Sequence, residues 1–451
     1  MPSPAAVKDT AADLLSDVLA RARKMGAEAA DALVVESASL SAAQRLGKRE
    51  RLERAESIEL GLRVFKGKRQ AVVSSTDMSA RARADLAERA LAMAGTVPED
   101  PDCGLADPDQ IARGVPDLDT CDPGEPSADV LASLAAALEE AARAVEGVTN
   151  SEGAEASWSR THIHMAATNG FNGSYTITRH SVIVAVLAGT GTNMERDYEY
   201  ASAVYGADLE PPEALGRRAG ENAVRRLNPR KMKTVKVPVV FDPRVANTLL
   251  GHFAGAVNGS AIARGTSFLK DKMDKPVFGR GMRVVDDPLR RRGLRSRPFD
   301  GEGVATARRA LVEDGVLKSW ILDLHSARKL KLATTGHAAR GISSPPSPSA
   351  SNLYLEPGEV APAELMADIR SGFYVTELMG FGLNPVTGDY SRGATGFWIE
   401  NGEIAYPVSE VTVAGNAKDM LRNLRPANDL KFRFGTDSPT VRIDGLTVAG
   451  R

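Results

Sequence analysis

Residues 379–407 read MGFGLNPVTGDYSRGATGFWIENGEIAYP, and this segment decides the fold class of the second half of the chain. It ends in two strand-like runs, Phe397–Glu400 and Ile404–Pro407, which are joined through Asn401-Gly402. An Asn-Gly pair between such runs predicts a tight β-hairpin, because both residues tolerate the positive φ angles of the turn. The segment therefore predicts antiparallel strands in this part of the protein.

The sequence around this hairpin has the same β-rich character. A basic stretch, NPRKMKTVKVPVVFDP, begins at Asn228 and is followed by one predicted helix, Asp242–Val257. The glycine-punctuated runs predicted as strands are Gly303–Ala310, Val316–Asp323, Ser351–Leu355, Gly372–Leu378, Ala394–Glu400, Glu403–Pro407 and Val411–Ala414. The Pro/Ser-rich stretch Gly341–Ser351 predicts a mobile or wrapping loop. We therefore predict a mostly antiparallel, β-rich C-terminal domain at residues 231–451.

The first half predicts an internal duplication. The first unit comprises a helix at Val7–Met25, strands at Asp31–Glu36, Ser57–Phe65 and Gln70–Ser75, and a helix at Ser79–Ala94. After a turn-rich spacer, the second unit comprises a helix at Ala128–Val145, strands at Trp158–Thr168, Ser174–Leu187 and Tyr198–Gly206, and a helix at Pro211–Leu227. Two α-β-β-β-α units would form one pseudo-symmetric N-terminal domain, residues 1–230. The whole chain is then predicted to have an α+β fold.

Charge and composition argue against several classes of protein. A formal net charge of −1 argues against a general nucleic-acid binder, which usually carries a clear basic excess. No segment approaches the length of unbroken apolar sequence that a membrane span needs, and the N-terminus has no apolar signal core. We therefore expect a cytoplasmic protein, in which Cys103 and Cys121 are free thiols.

The helix around His252 resembles a metallopeptidase helix that has lost its metal chemistry. Zinc peptidases place two histidines four or five residues apart on such a helix, with a glutamate directly after the first. Here the glutamate position is Phe253, and Ala256 and Val257 stand where the second histidine would be. A zinc site cannot be completed from this helix, so His252 is interpreted as a packed helix histidine.

Other catalytic patterns are absent from the sequence or incomplete. His162 and His164 would share one face of a strand, but no cysteine or clear third ligand accompanies them. The sequence has no GxSxG elbow, P-loop or complete dinucleotide-binding fingerprint. The arginine run Arg290–Arg292 is flanked by acids, including Asp286 and Asp300–Glu302, and is interpreted as a solvated loop. We therefore predict no catalytic residue and no metal ligand in this chain.

The glycine-rich segment allows two interpretations. It could be an ordinary β-domain with tight turns, or a cleft in which exposed backbone hydrogen-bonds an extended peptide. In the second case the side chains available for substrate contacts are Asn384, Thr387, Asp389, Tyr390, Ser391 and Arg392, next to Gly393. Asp389 and Arg392 are the preferred polar contacts, because they lie between glycines in a predicted loop.

The same segment carries a family resemblance. LNPVTGDYSRGATGFWIENGEIAYPVSEVTVAGNAKDML (Leu383–Leu421) resembles the signature region of the TldD/PmbA metallopeptidase family. VVDDP (Val284–Pro288), FDGEGVAT (Phe299–Thr306) and LYLEPG (Leu353–Gly358) support it. The resemblance implies a duplicated α/β N-terminal domain, a β-rich C-terminal domain, and a zinc-dependent peptidase built from a TldD-type and a PmbA-type (TldE) subunit. It also implies unfolded or leader-bearing peptides as substrates.

Within the family, this chain is similar to the PmbA/TldE type. The resemblance implies that TldD-type chains carry HExxxH on the helix that matches His252–Val257, together with a cysteine ligand near the C-terminus. This chain keeps His252 but has Phe253 and Val257, and its last cysteine is Cys121. The expected role is that of a non-catalytic subunit, with zinc in a TldD-like partner and a homodimer when the chain is alone. The alternatives are an autonomous hydrolase with an unrecognised metal site and a peptide-binding scaffold.

Overall fold

The structure is a computed structural model that describes residues 10–450. The first three positions of the helix predicted from Val7 lie outside the described residues. Helix α1 (Ala11–Lys24) begins after Thr10, whose hydroxyl accepts a hydrogen bond from the Asp13 amide at 3.3 Å. The Asp13 carboxylate in turn accepts one from the Thr10 amide at 3.0 Å. This capping box fixes the start of the helix.

The N-terminal half contains two copies of one order of elements. The first copy is α1, β1 (Ala29–Arg45), β2 (Lys48–Lys66), β3 (Arg69–Ser75) and α2 (Ala80–Ala94). The second is α3 (Ala128–Arg143), β4 (Val148–Ala167), β5 (Asn172–Ala188), β6 (Glu195–Ala203) and α4 (Pro212–Arg225). The strands form one antiparallel sheet in the order β3-β2-β1-β4-β5-β6, so that the copies meet at β1 and β4. The predicted α+β fold with its duplication is confirmed.

Alternation along the strands explains how this sheet is covered. Ala30, Ala32 and Val34 of β1 are buried together with apolar residues of α1 and α2. Further along β1, Leu40 and Ala42 are buried with α3 and α4. Successive side chains of a strand point to opposite faces, so all four helices lie on one face of the sheet. The other face is left for the C-terminal half.

The C-terminal half is β-rich. It begins with β7 (Val235–Phe241), α5 (Pro243–Ala256), α6 (Gly259–Ala263), β8 (Val284–Asp286), β9 (Arg309–Glu313), β10 (Val316–Leu317) and α7 (Leu324–Leu330). It continues with β11 (Ala338–Ala339), β12 (Ser347–Pro348), β13 (Leu353–Leu355), α8 (Pro362–Met366) and β14 (Ser371–Met379). It ends with β15 (Asp389–Glu400), β16 (Glu403–Asn416), α9 (Ala417–Asn423), β17 (Leu424–Pro426), β18 (Thr436–Asp437) and β19 (Val441–Ala449).

Two sheets surround helix α5 in this half. One has the strand order β16-β15-β14-β7-β19-β17, and an additional pairing of β16 with β19 closes five of its strands into a ring. The other has the order β10-β9-β8-β13-β18. Only β7–β14 and β13–β18 are parallel, so the prediction of a mostly antiparallel arrangement is confirmed. The predicted hairpin turn lies between β15 and β16, at Asn401 and Gly402.

The two halves pack closely around the segment that follows Gly341. Gly61 of β2 lies under the Ile342 carbonyl, where an added Cβ atom would collide with backbone. The Phe171 and Phe299 rings meet edge to face across the same contact, with centroids 4.9 Å apart. β12, which lies within the Pro/Ser-rich stretch, pairs with β11, which precedes it. The stretch therefore wraps against the rest of the molecule.

The arginine run is exposed at Arg291 and Arg292, as its interpretation as a solvated loop requires, but the acids that flank it are not. Arg292 donates to Asp119 at 2.7 Å and to Asp208 at 3.0 Å, so it connects the two halves. The flanking acids Asp286 and Asp300 are fully buried, each with hydrogen-bond donors around its carboxylate. Burial of an acid is tolerated when its oxygens are satisfied in this way. The flanking acids Asp286 and Asp300 are therefore part of the core, whereas Arg291 and Arg292 remain exposed and are compensated by the acids that they pair with.

Candidate functional site

Helix α5 positions the candidate site. Asp242 caps it by accepting a hydrogen bond from the Arg244 amide at 2.9 Å, and Pro243 supplies a fixed φ at the first helical position. The helix lies in the C-terminal core along its apolar face. His252 is half-buried and lies at the flank of this face, near the end of the helix. Its surroundings decide whether the helix could hold a metal.

Phe253 and Val257 both point into the core. Each is fully buried, and the Phe253 ring packs edge to face against Phe278 with centroids 5.3 Å apart. A general base and a second zinc ligand would have to reach the same solvent-accessible ion as His252. These two side chains are apolar and fully buried, so they supply neither a base nor a ligand. The residues on α5 do not fit zinc.

The remaining surroundings of His252 also disfavour a cation. Its ring lies edge to face with Tyr390, centroids 6.0 Å apart, and its buried Nε2 has no hydrogen-bond partner among the described residues. Burial, and then the charge of Arg392, lower the pKa of His252 below its ordinary value. Arg392 itself donates to Thr248 Oγ1 and to the Leu378 carbonyl, at 3.3 Å each. A fixed guanidinium beside a neutral histidine repels a metal ion.

The predicted substrate residues separate into two groups. Residues 389–393 form the start of β15 rather than a loop, because this strand pairs along Asp389–Asn416 with β16. Strand alternation therefore sends Tyr390 and Arg392 toward α5, while Asp389 and Ser391 are exposed. On the other side of β15, β14 pairs only from Gly393 onward. The start of the strand is bonded there by the preceding loop, with the Ser391 amide donating to the Gly382 carbonyl at 2.7 Å and the Asn384 amide donating to the Asp389 carbonyl at 2.8 Å, so it offers no free edge to a peptide.

Asn384, Thr387 and Asp389 hold the preceding loop together. Asn384 Oδ1 accepts from the amides of Val386 at 2.9 Å and Thr387 at 3.2 Å. The Thr387 hydroxyl donates to Asp389 Oδ2 at 2.7 Å, and Asn416 Nδ2 donates to Asp389 Oδ1 at 3.1 Å. These two bonds keep the pKa of Asp389 below its ordinary value. The loop is therefore rigid, and its polar side chains are largely used in holding it.

The loop presents an apolar surface that the sequence analysis missed. Phe381 is 94% exposed, between Gly380 and Gly382, whose φ angles are +76° and +50°. Met379 and Val386 are half exposed nearby in the chain. A phenylalanine between two glycines in a turn-rich stretch has few neighbours to pack against. The Gly-Phe-Gly pattern could therefore have identified Phe381 as exposed from the sequence alone. We name Met379, Phe381 and Val386 the apolar tip.

A charged cleft of about 410 Å³ lies between the two halves. Its wall includes Arg244, which donates to Asp197 at 2.9 Å, and Arg433, which lies 3.6 Å from Glu199. Burial raises the pKa of Glu199 above its ordinary value, although nearby arginines oppose this shift. Arg244 and Arg433 are thereby paired with acids across the junction. This pairing is what a structural interface requires.

One further group of side chains has the chemistry of a cation site. One oxygen each of Asp100 and Asp102 and one nitrogen of His325 all lie within 4.8 Å of one another. His325 Nε2 is 3.0 Å from Asp100 Oδ2, so the group also forms a polar contact between the two halves. Sequence spacing could not reveal it, because His325 is far along the chain from the two acids.

The pair His162 and His164 is accounted for without a metal. His162 Nδ1 is 2.9 Å from the Thr176 hydroxyl, and His164 Nε2 is 2.8 Å from Asn172 Oδ1. Both partners belong to the neighbouring strand β5. Cys103 and Cys121 are free, and burial raises the pKa of each thiol. Among the described residues, no helix is both long and apolar enough to cross a membrane.

Comparison with known proteins connects this geometry to a family. Models of the PmbA/TldA metallopeptidase domain 1, central domain and C-terminal domain match residues 30–94, 121–227 and 234–450. The chain is 39% identical to Metalloprotease PmbA of Escherichia coli O157:H7, over 96% of this chain and 94% of that protein. It is 36% identical to the Metalloprotease PmbA homolog of Haemophilus influenzae, over 95% of this chain and 94% of that protein.

A solved structure agrees with these matches at the level of the fold. TldE from Thermococcus kodakarensis superposes with a TM-score of 0.86, covering 96% of this chain and 99% of that chain, at 20% identity. The fold, the domain models and the extent of sequence identity lead to the same assignment. The chain belongs to the PmbA/TldD metallopeptidase family.

Proposed function

We propose that this chain is the non-catalytic subunit of a two-subunit zinc peptidase. It contributes a substrate-facing surface, and a TldD-like partner supplies the zinc and the base. The observation that carries the proposal is the state of helix α5. Phe253 and Val257 are built into the core, and Arg392 lies beside the one histidine that remains. Family membership supplies the reaction class, and these residues argue against this chain as its catalyst.

The apolar tip is the part of this chain that we propose binds substrate. Unfolded peptides expose apolar side chains, and an exposed aromatic residue on a rigid scaffold binds them at a low entropic cost. The scaffold is rigid because Asn384, Thr387 and Asp389 bond with the loop and its neighbours. Positioning the peptide in this way lowers the barrier for a reaction that the partner catalyses.

Reconstitution tests the proposal. We expect this chain alone to cleave no model peptide and to hold well under one zinc per molecule after dialysis, prepared without an affinity tag. The TldD-like subunit of the same organism, added in equal amount, should restore cleavage, with the zinc in that subunit. The control is the partner alone, which should be much less active than the pair.

A different result would favour the alternative of an autonomous hydrolase. If this chain alone cleaved peptide and kept about one zinc, the ligands would have to lie away from α5. Asp100, Asp102 and His325 would then be the site to examine. Loss of both zinc and activity in His325→Ala would overturn the non-catalytic assignment. A chain that binds peptide but never affects the partner's cleavage would indicate the scaffold alternative instead.

The apolar tip gives a prediction about substrate affinity. Replacing Phe381 with serine should raise KM of the reconstituted pair roughly fivefold to thirtyfold, because burying a phenylalanine stabilises a complex by about 1–2 kcal/mol. Since the contact is made equally in ground and transition states, kcat should change little. Asp389→Ala, which loosens the loop, should raise KM in the same direction.

The matched control is Val130→Ser on helix α3, another exposed apolar residue far along the chain from the tip. It should leave KM unchanged. Circular dichroism should show that all three variants fold. An unchanged KM in Phe381→Ser would show that the tip does not contact substrate.

A further inference from the structure

A small cavity lies where the end of β6 meets the C-terminal half. It has a volume of about 210 Å³ and lies between residues 202–204 of the N-terminal half and residues 290–294, Phe432 and Arg433 of the C-terminal half. Cavities that hold drug-sized ligands usually enclose about 300–1,000 Å³, so this one suits a smaller molecule or an ion. We name it the arginine pocket, because Arg290, Arg291, Arg292 and Arg433 all line it.

Three of these four arginines have carboxylate partners. Arg291 and Arg292 both pair with Asp119, at 3.4 Å and 2.7 Å. Arg433 lies 3.4 Å from Glu210. Their charges are therefore compensated within the chain, and the fourth arginine decides what the pocket can bind.

Arg290 has no carboxylate partner. Its guanidinium carbon lies 3.4 Å from the centroid of the Phe432 ring, and its side chain makes no hydrogen bond or ion pair with any residue that the structure describes. Asp437 is also in the wall, but its two carboxylate oxygens accept hydrogen bonds from three backbone amides, at 2.8, 2.9 and 3.1 Å. Stacking on the ring fixes the plane of the guanidinium and leaves its N–H donors to water or to a ligand.

Two more arginines without carboxylate partners lie beside the pocket. Arg179 Nη2 donates to the Leu294 carbonyl at 3.1 Å. The Arg295 side chain packs so closely on Gly435 that a Cβ atom added to this glycine would lie 2.8 Å from Arg295 Cγ. Burial, and then the charge of Arg295, lower the pKa of Arg179. Among the described residues neither guanidinium forms an ion pair, so an anion beside them would relieve their repulsion.

We propose that the arginine pocket binds a phosphate group, carried either by inorganic phosphate or by the monoester of a small molecule. Arg290 supplies a planar fork that matches two phosphate oxygens, and Arg295 and Arg179 supply further positive charge. A phosphate monoester carries about −1.5 to −2 charges at pH 7, whereas a carboxylate carries one. Three arginines without carboxylate partners therefore fit a phosphate better than a carboxylate.

This site goes beyond the proposed function, because it contains no residue of α5 or of the apolar tip. Residues of both halves line it, so the complete pocket exists only in the folded arrangement of the two halves. A ligand that binds the folded state alone raises its stability. Binding can therefore be measured without any peptidase activity.

Titration of the wild type with two probes tests the proposal. Inorganic phosphate and glycerol phosphate are added at constant ionic strength, balanced with chloride, and binding is followed by calorimetry and by the rise in Tm. We expect both probes to bind saturably and acetate to bind about tenfold more weakly. Glycerol phosphate that binds about fivefold more tightly than inorganic phosphate would identify a small phosphorylated molecule as the ligand, and equal affinities would identify the free ion.

Two variants locate the binding in the pocket. Arg290→Ala should weaken the binding of both probes about tenfold, because it removes the free fork. Arg295→Ala should weaken it about threefold through the lost charge, and it keeps Arg290 stacked on Phe432, so it tests the pocket even where Arg290→Ala impairs folding. The matched control is Arg81→Ala on helix α2, whose side chain is 93% exposed and lies outside the pocket wall. This control should bind both probes like the wild type.

Any of three results would overturn the proposal. The first is that neither probe binds to the wild type at millimolar concentration. The second is that Arg290→Ala and Arg295→Ala both bind phosphate like the wild type, which would locate the binding on another surface. The third is that acetate binds as tightly as phosphate, which would show a general attraction of anions rather than a site for a phosphate group.

Discussion

Replacing Asp31 with alanine is expected to lower the free energy of unfolding by about 3–5 kcal/mol. Asp31 is completely buried and binds two arginines, Arg63 of β2 with Nε at 2.9 Å and Arg340 of the C-terminal half. Burial opposes ionisation of this carboxyl, yet the charges of Arg340 and Arg63 hold its pKa below the ordinary value. Removing it would leave two buried guanidiniums without their main counterion.

Chemical denaturation of the wild type and the variant measures this loss. The matched control is Glu56→Ala, which removes an exposed carboxylate paired with Arg54 at 2.8 Å. Surface pairs of this kind contribute about 0–1 kcal/mol, so the control should unfold almost like the wild type. A loss below 1 kcal/mol in Asp31→Ala would show that water replaces the carboxylate. The cluster of Asp31, Arg63 and Arg340 would then be hydrated rather than closed to water.

The fold was predictable to the extent that it depends on local periodicity. Strands β3 and β6 and the second half of β1 alternate buried and partly exposed residues, and each helix has one apolar stripe, so the duplicated order of elements could be inferred from the sequence. The Asn401-Gly402 turn was predictable for the same reason, because two adjacent residues specify it. The α+β class and the family follow from these local signals and the signature segment.

The connections between distant residues were not predictable. Arg340 meets Asp31 across 309 positions of sequence, and no spacing rule relates two such residues. The same is true of His325 and Asp100. The start of β15 was predicted as a loop because its glycines suggested turns, whereas pairing with β16 on one side and hydrogen bonds to the preceding loop on the other outweigh that local preference. Tertiary contacts determine these features, and only the folded molecule reveals them.

The second large effect is a pH dependence centred on Glu302. This carboxyl is buried beside the cluster of Asp31, Arg63 and Arg340. Its Oε2 accepts a hydrogen bond from the Leu324 amide at 2.8 Å, and its Oε1 lies 3.7 Å from Arg63. Burial raises its pKa to about 8, Arg63 opposes the shift, and the charge of Asp300 adds to it. The folded protein therefore holds a proton that the unfolded chain releases near pH 4.5.

The difference between the folded-state and unfolded-state pKa of Glu302 determines whether the free energy of unfolding rises or falls with pH. A carboxyl whose pKa is raised in the folded state stabilises the protein while it stays protonated. This stabilisation is fully present below the pKa of the unfolded state and is lost as pH rises through the pKa of the folded state. Between pH 6.5 and 8.5, Glu302 alone should lower the free energy of unfolding by about 2 kcal/mol. His180 and His252 have lowered pKa values in the folded state, so each adds some stability as pH rises through the ordinary histidine value of about 6.5, which opposes the effect of Glu302 at the lower end of this window.

The variant Glu302→Gln isolates the contribution of Glu302 ionisation to the pH dependence of the free energy of unfolding. Glutamine cannot ionise, and its amide oxygen can still accept from the Leu324 amide. This variant should therefore lack the loss of stability that the wild type shows between pH 6.5 and 8.5. Urea denaturation at several pH values gives both curves, and the wild type should lose stability where the variant does not. Parallel curves would mean that Glu302 stays ionised in the folded state through its contact with Arg63. In that case attraction by Arg63 would outweigh burial, and Arg63 would be shared equally by Asp31 and Glu302.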